Sequence, residues 1–435
     1  MVRMKMTGDK PVLDVYLGER QIANITLIED QLYWSYHDSW QQTGYAVSPH
    51  LPLHEAISPL NVQRFLRNLL PEGNPLEVLV NIFHLSKYNT FGLIQALGLD
   101  TPGSLVILPS NQATPDHANF RLITDEELEE RLNHRDPYDL IVWDGKPRLS
   151  VAGVQDKINV VLNKEGQLGF GEGSLCSTHI LKFETQKLSY LVLNEFLSMW
   201  LAKRCGLNVA DVQMKRFGQH PALLVERFDR KWVTTNVVRR HLIDGCQALN
   251  LPPEYKYEQN FGNNRDVAHI RDGVSLPKVF DFANQCINPA KTKQQILDWV
   301  LFNVLIFNCD AHGKNISFFV GANGISLAPF YDLVNIKMYP EFEHALAMAL
   351  GDEFDGDNIN AYQLADFADK CQLPRSLVVK HLKYLIGKLT TALQEETQLN
   401  LIDNEEDYLK KYQEIVMKRC EHLLKQSGQI TSIKL

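Results

Sequence analysis

The sequence predicts an α+β chain folded as two lobes, the first rich in strands and the second mainly helical. Three observations lead there. Short runs of alternating hydrophobicity crowd the first half, and helical periodicity dominates after Arg227. In addition, 435 residues exceed the size at which one core usually stops growing. The lobe boundary falls near Phe228 to Trp232. It divides the chain into a β-rich N-terminal subdomain (1–108), the remainder of the first lobe (109–230) and a helical lobe (231–435).

The elements follow in order. Val12 to Leu17 reads as a strand, Gly18-Glu19-Arg20 as a turn, and Ile22 to Ile28 as its partner, with Tyr33 to Tyr36 continuing the sheet. Between Asn61 and Leu97 the period lengthens, and helices break at Pro71-Glu72-Gly73. Pro109 to Asn119 is a polar surface connection. Strands return at Leu149 to Val151, Lys157 to Leu162 and Thr178 to Phe183, and Leu188 to Cys205 reads as an amphipathic helix. Ala222 to Arg227 is a short apolar strand ending in charge. Helices are expected at Leu297 to Phe307, Leu377 to Leu393 and Tyr408 to Leu424. Gly169 to Gly173, G-F-G-E-G, lacks the strand-to-helix setting of a dinucleotide fingerprint and reads as a turn.

Composition narrows the function classes. A net charge of −8 gives no global basic field for nucleic acid, so clusters such as Arg239-Arg240 read as solvated faces. Seven cysteines without a C-x-x-C pair argue against a disulfide framework and a cysteine-built zinc site, and fit a reducing cytoplasm. The N-terminus has no apolar core of a secretory signal. The most apolar stretch, Ile296 to Phe307, is too short for a bilayer span of about 20 residues.

One constellation carries chemistry. The apolar helix ending at Phe307 runs into Cys309-Asp310-Ala311-His312-Gly313-Lys314-Asn315. Two strand-like runs, Ile316 to Val320 and Ile325 to Ala328, then lead to Tyr331-Asp332. Phosphoryl transfer needs a carboxylate to take the hydroxyl proton, and an amide oxygen with a second carboxylate to hold Mg²⁺. Asp310 and Asn315 stand five apart, the separation of base and metal ligand in a kinase catalytic loop. A hairpin would return Asp332 beside Asn315 as the second Mg²⁺ ligand, while His312 and Lys314 orient Asp310 or neutralise phosphate charge. Lys182, at the end of T-H-I-L-K-F, is the candidate phosphate lysine, and Glu195 its partner. Taken singly, each has a plainer reading. A turn Asp or Asn is more often a backbone cap, His312 a structural hydrogen-bonder, Lys314 a solvated lysine, and Lys182–Glu195 two unrelated surface groups. The small-residue turn Ser150 to Lys157 could cradle phosphates, although the chain has no Walker A loop.

Five motifs in this order, R-L-S-V-A-G-V-Q-D-K, T-H-I-L-K-F, L-L-V-E-R-F-D-R, N-C-D-A-H-G-K-N and A-P-F-Y-D-L, resemble the HipA family of bacterial serine/threonine-kinase toxins. F-L-R-N-L-L-P-E-G-N-P extends the likeness to the N-terminal half. The resemblance implies a protein-kinase-like fold with ATP in the cleft. It implies Asp310 as catalytic base, with His312 beside it, and Asn315 and Asp332 as Mg²⁺ ligands. ATP would be held by Val151, Ala152, Gly153, Val154, Gln155, Asp156 and Lys157, by Lys182, by the hinge Glu226, Arg227 and Phe228, and by His312, Gly313, Lys314, Asn315, Tyr331 and Asp332. Ser150 matches the residue that the family phosphorylates on itself, where a doubly charged group would repel ATP and eject the loop. D-A-H stands where D-G-H is also found in the family. The implied partners are a HipB-like helix-turn-helix antitoxin, operator DNA through that antitoxin, and a translation factor, typically an aminoacyl-tRNA synthetase, whose phosphorylation causes growth arrest and persistence. The competing readings are a kinase-like co-repressor, a small-molecule or lipid kinase, and a metal hydrolase using His312 and Asp310, for which no second histidine sits at ligand spacing.

Overall fold

In this computed structural model the described residues are 10–112, 114–115, 117–134, 140–148, 155–185, 188–234, 236–395, 401–402 and 404–435. The N-terminal unit is built on a four-stranded antiparallel sheet of β1 (Val12–Leu17), β2 (Arg20–Ile28), β3 (Gln31–Tyr36) and β4 (Leu105–Pro109), in the order β3-β2-β1-β4. Strict alternation along β3 buries Leu32, Trp34 and Tyr36 and exposes the residues between them. Helices Pro59–Arg67, Gly73–Phe83 and Thr90–Leu97 supply the covering layer, with Phe65 edge-on to Trp34 at 6.1 Å. The helix break falls at Pro71-Glu72-Gly73 as expected.

A second sheet holds β5 (Ala118–Leu122), β6 (Lys157–Leu162), β7 (Leu168–Gly173), β8 (His179–Phe183), β9 (Val212–Phe217) and β10 (His220–Glu226), in the order β9-β10-β8-β6-β7-β5. The glycine-rich Gly169 to Gly173, expected as a turn, is instead part of β7 and pairs with β5. A Cβ on Gly169 would stand 2.4 Å from the Phe120 ring, and one on Gly171 would stand 2.1 Å from the Leu175 carbonyl oxygen. The glycines therefore permit close packing within a strand rather than a reversal of the chain. Leu149 to Val151, read as a strand, lies outside the described residues.

Helix Leu191–Arg204 bridges this sheet and the helical lobe. It is buried nearly all round rather than amphipathic, because Asn194, Glu195 and Ser198 on its polar side face other protein groups. Asn194 Nδ2 donates to the Asn335 carbonyl at 3.0 Å and to Tyr408 Oη at 2.8 Å. The second lobe is framed by helices Pro289–Leu305, Ala361–Lys370, Arg375–Ala392 and Glu405–Ser427. It is less purely helical than its periodicity predicts. Strands Arg230–Val233 and Asn236–Arg239 form a hairpin, Leu242–Asp244 joins a three-stranded sheet, and Ala345–Leu350 pairs with Glu353–Asp355. Such short runs give too few alternations for a period to be read.

The N-terminal unit docks on the second lobe through backbone-directed polar contacts. Gln247 Nε2 donates to the Phe65 carbonyl at 3.0 Å, Asn68 Nδ2 to Leu251 at 2.9 Å, and His50 Nε2 to Ala248 at 2.8 Å. This brings Asn68, Leu69 and Glu72 to the wall of the cleft between the lobes. All seven cysteines are buried free thiols. Among the described residues no helix is long and apolar enough to cross a membrane.

Candidate active site

The polar loop is held by the helix that precedes it. Pro289 and the Asn288 cap start that helix, and Ile296, Leu297, Leu301, Phe302 and Leu305 are fully buried along it. Phe307, at φ 55°, turns the chain out of the helix. Asn303, a polar residue inside this apolar run, accepts from Asn308 Nδ2 at 3.0 Å, and Asn308 Oδ1 accepts from the Asp310 backbone N–H at 3.2 Å. A buried asparagine pair therefore fixes the start of the loop. Asn315 Nδ2 donates to the Asp310 carbonyl at 2.9 Å, closing the loop over the expected five-residue interval.

The hairpin forms as its spacing predicts. Ser317–Gly321 pairs with Gly324–Leu327, and the Leu242–Asp244 strand flanks it. Tyr331 Oη then donates to the Lys314 carbonyl at 2.6 Å and contacts Ser317 Oγ at 2.7 Å, tying the end of the hairpin to the polar loop. Asp332 takes a left-handed backbone at φ 60°, a conformation that Asp adopts more readily than most residues.

Asp310, His312, Lys314, Asn315, Tyr331 and Asp332 share one cavity of ≈ 220 Å³ with Lys157, Lys182, Glu195, Glu226, Arg227 and Phe228. Lys182 Nζ lies 2.7 Å from Glu195 Oε1 and 2.5 Å from Asp332 Oδ1. The plain reading of Lys182 and Glu195 as unrelated surface groups is overturned, because both are buried. Burial opposes charge on Lys182, but the carboxylates of Asp332 and Glu195 outweigh it and raise its pKa. Burial likewise works against ionisation of Asp332, and the ammonium groups of Lys182 and Lys157 more than offset this and lower its pKa. Lys157 faces Lys182 across the β6–β8 pairing. Burial, reinforced by the Lys182 charge, brings Lys157 down to about 8.

Two expected residues have other surroundings than the sequence suggested. Lys314 is buried rather than solvated. Its Nζ donates to Asp244 Oδ2 at 2.9 Å and to the Asn68 carbonyl at 2.9 Å, which pins the loop to the N-terminal unit. His312 is buried, and desolvation lowers its pKa, so the ring is neutral near pH 7. It packs edge-on against Tyr257 at 5.2 Å, and Tyr257 Oη donates to Asp310 Oδ1 at 2.8 Å. The His312 ring thus meets the Asp310 carboxylate through an aromatic neighbour, while the His312 backbone N–H donates to the Asp310 carbonyl at 2.8 Å. Sequence reasoning missed Tyr257, Glu72 and Asn308, which stand far from the motif or look like ordinary loop residues. Asn303 did leave a trace, as a polar break in the apolar helix.

Two family models match the chain: the HipA-like C-terminal domain over residues 149–393 and the HipA N-terminal domain over residues 13–108. The chain belongs to the HipA family. It is 43% identical over 424 residues to the serine/threonine-protein kinase toxin HipA of Shewanella oneidensis, covering 96% of this chain and 97% of that one. A solved complex of Shewanella oneidensis HipA with HipB and its operator DNA superposes with a TM-score of 0.89 at 42% identity, covering 97% of this chain and all of the matched chain. The protein is accordingly a HipA-family serine/threonine-protein kinase with a β-rich first lobe and a mainly helical second lobe.

In this HipA-family kinase the segment expected as the hinge, Glu226 to Phe228, runs into a buried ionic cluster. Arg227 was expected to touch the nucleotide, yet its guanidinium bonds Asp229, Ser177 Oγ and the Thr101 carbonyl, with Asp100 3.6 Å away. Arg230 joins the same group through Asp229, Asp100 and the Gly103 carbonyl. The cluster clamps the segment after β10 to the end of the N-terminal unit. Phe228 stacks obliquely on Tyr331 at 5.6 Å and contributes an apolar wall with Ile180, Val225 and Leu242. Ser150, Val151, Ala152, Gly153 and Val154 lie outside the described residues. At the loop's exit, Gln155 Nε2 donates to the Phe183 carbonyl at 2.9 Å, and the Asp156 carbonyl accepts from the Phe183 N–H at 2.9 Å.

Proposed function

We propose that this chain transfers the γ-phosphoryl group of ATP to serine or threonine hydroxyls of proteins, with Mg²⁺. The observation that carries this reading is Lys182 bonded to Glu195 and Asp332 in the cavity that also holds Asp310 and Asn315. The adenine would lie against Phe228, Val225 and Leu242, beside the Glu226 to Phe228 backbone. Lys182, Lys157 and the 151–157 loop would meet the phosphates. The donor set suits Mg²⁺: Asn315 has its Nδ2 committed to Asp310, leaving Oδ1 for a cation, and Asp332 binds Lys182 through only one oxygen. These are hard oxygen ligands, and Mg²⁺ held there would neutralise charge on the phosphates. Asp310 orients the acceptor hydroxyl and takes its proton as the new O–P bond forms and the bond to the leaving ADP breaks.

The regulatory reading rests on the family. Ser150 is the proposed autophosphorylation site, two residues after Arg148 and beside the phosphate-covering loop. The Shewanella oneidensis complex supports a toxin–antitoxin role, with a HipB-like antitoxin and operator DNA bound through it; the cytoplasm is the proposed location. A translation factor such as an aminoacyl-tRNA synthetase is the proposed substrate, its phosphorylation arresting growth and leading to persistence. Incubation with Mg²⁺ and labelled ATP, followed by phosphosite mapping, tests this. Label is expected on Ser150 in the parent and none in Asp310→Ala or Asp332→Ala. Nucleotide binding without transfer to the chain or to an added lysate would favour a co-repressor that has kept its nucleotide site.

A further inference from the structure

A second cavity opens on the other side of Asp310. It has a volume of ≈ 520 Å³, and Asp310 and Tyr257 line both it and the nucleotide cavity. Its walls are largely apolar, formed by Leu188 just before the helix Leu191–Arg204, by Leu191 at its start, and by Ile336, Tyr339, Phe342 and Leu346 from the second lobe. Gln259, Asn260 and Asn263 supply a polar rim. Three large apolar side chains stand exposed in the segments that form its mouth: Tyr257 (37%), Phe261 (55%) and Phe342 (46%). Exposed aromatics gathered beside a reactive carboxylate mark a surface that buries a partner. The charged groups lining the groove are Asp310 and Glu343, both acidic, and Glu343 accepts from Asn263 Nδ2 at the rim.

We infer that this groove is the acceptor site, and that it selects serine or threonine segments carrying a large apolar side chain close to the hydroxyl and no carboxylate beside it. The inference rests on the kinase reading and adds its substrate class. With the phosphoryl donor on one side of Asp310, the acceptor oxygen must approach from the other, and this groove is an opening that Asp310 also lines. An apolar side chain seated between Leu191, Tyr339, Phe342 and Leu346 anchors the segment. Tyr257, bonded to Asp310 Oδ1, stands at the junction of the two cavities, where an incoming hydroxyl competes for the same oxygen. An acidic flanking residue would meet Glu343 and Asp310 in a partly dry cleft, where like charges repel strongly.

The test is a positional-scanning library of serine peptides, phosphorylated by the full chain with Mg²⁺ and ATP, beside Phe342→Arg. Phe342 is half exposed, so the substitution leaves the core alone. The parent is expected to favour Leu, Ile, Met or Phe over Asp or Glu by tenfold or more at one flanking position. Phe342→Arg should lose that preference and gain acidic peptides at least fivefold. A flat parent profile, or the same profile in both proteins, overturns the acceptor groove. Self-labelling measured in the same reactions scores the kinase reading separately. A chain that labels itself yet shows no flanking preference remains a kinase without this groove, whereas no label on chain or peptide removes both.

Discussion

Lys182 Nζ sits 2.5 Å from Asp332 Oδ1, joining residues 150 positions apart and the two lobes to one another. The same ammonium is held from behind by Glu195 at 2.7 Å. In this state the lysine covers the carboxylate that is proposed to take Mg²⁺, so nucleotide and cation must share a contact that the protein already makes with itself. Replacing Lys182 with Met removes the proposed phosphate contact and leaves Glu195 and Asp332 without the ammonium that bridges them. Transfer should fall about 10²–10³-fold, the usual cost of losing one electrostatic clamp. Glu195→Gln keeps the shape and a hydrogen bond, and should cost less than Lys182→Met. Single-turnover rates with labelled ATP rank the two.

Lys157 gives a pH dependence with a defined sign. Burial and the facing Lys182 lower it to about 8, so at pH 7 it is charged and ready for phosphate. Bound phosphate favours the charged form, and above pH 8 binding must take up a proton. Affinity for nucleotide should therefore weaken between pH 8 and 10, by up to about tenfold per pH unit. Lys157→Arg, which stays charged, should flatten that slope in a calorimetric titration. The unliganded chain moves the other way. Its folded pKa lies below the unfolded value, so this lysine's penalty on stability is relieved as pH rises through 8 toward 10.5.

Lys314 holds the polar loop to the N-terminal unit. Lys314→Met would leave the buried Asp244 carboxylate without its ion pair and the Asn68 carbonyl without a donor. Breaking one side of a buried pair costs about 3–5 kcal/mol. Denaturant unfolding should show a loss of that size. Lys314→Met combined with Asp244→Asn, which removes the orphaned charge, should recover part of it.

The strands of the first half, the hairpin before Asp332 and the Asp310–Asn315 interval were legible because each rests on local rules. Alternation writes β3, a proline and glycine write the break at 71–73, and two short apolar runs around a turn write the hairpin. The Lys182–Glu195 pair was legible only as two residue types, since nothing local to either says that the helix Leu191–Arg204 is buried on nearly all sides. The contacts of Arg227 with Asp100 and of Lys314 with Asp244 and Asn68 were not legible for the same reason: those partners lie far off in the chain or in another unit. Gly169 to Gly173 misled because glycine marks close packing as well as turns, and only the Phe120 ring and the Leu175 carbonyl distinguish the two.

Asp310 is proposed to handle the acceptor proton while other residues hold the nucleotide, and Asp310→Asn separates the two roles. Calorimetry should find nucleotide with Mg²⁺ bound by Asp310→Asn within about threefold of the parent, while transfer to a protein acceptor falls by about 10²–10⁴, the range for losing a general base. An Asp310→Asn protein that binds nucleotide and transfers phosphate at the parent rate would rule out Asp310 as the base.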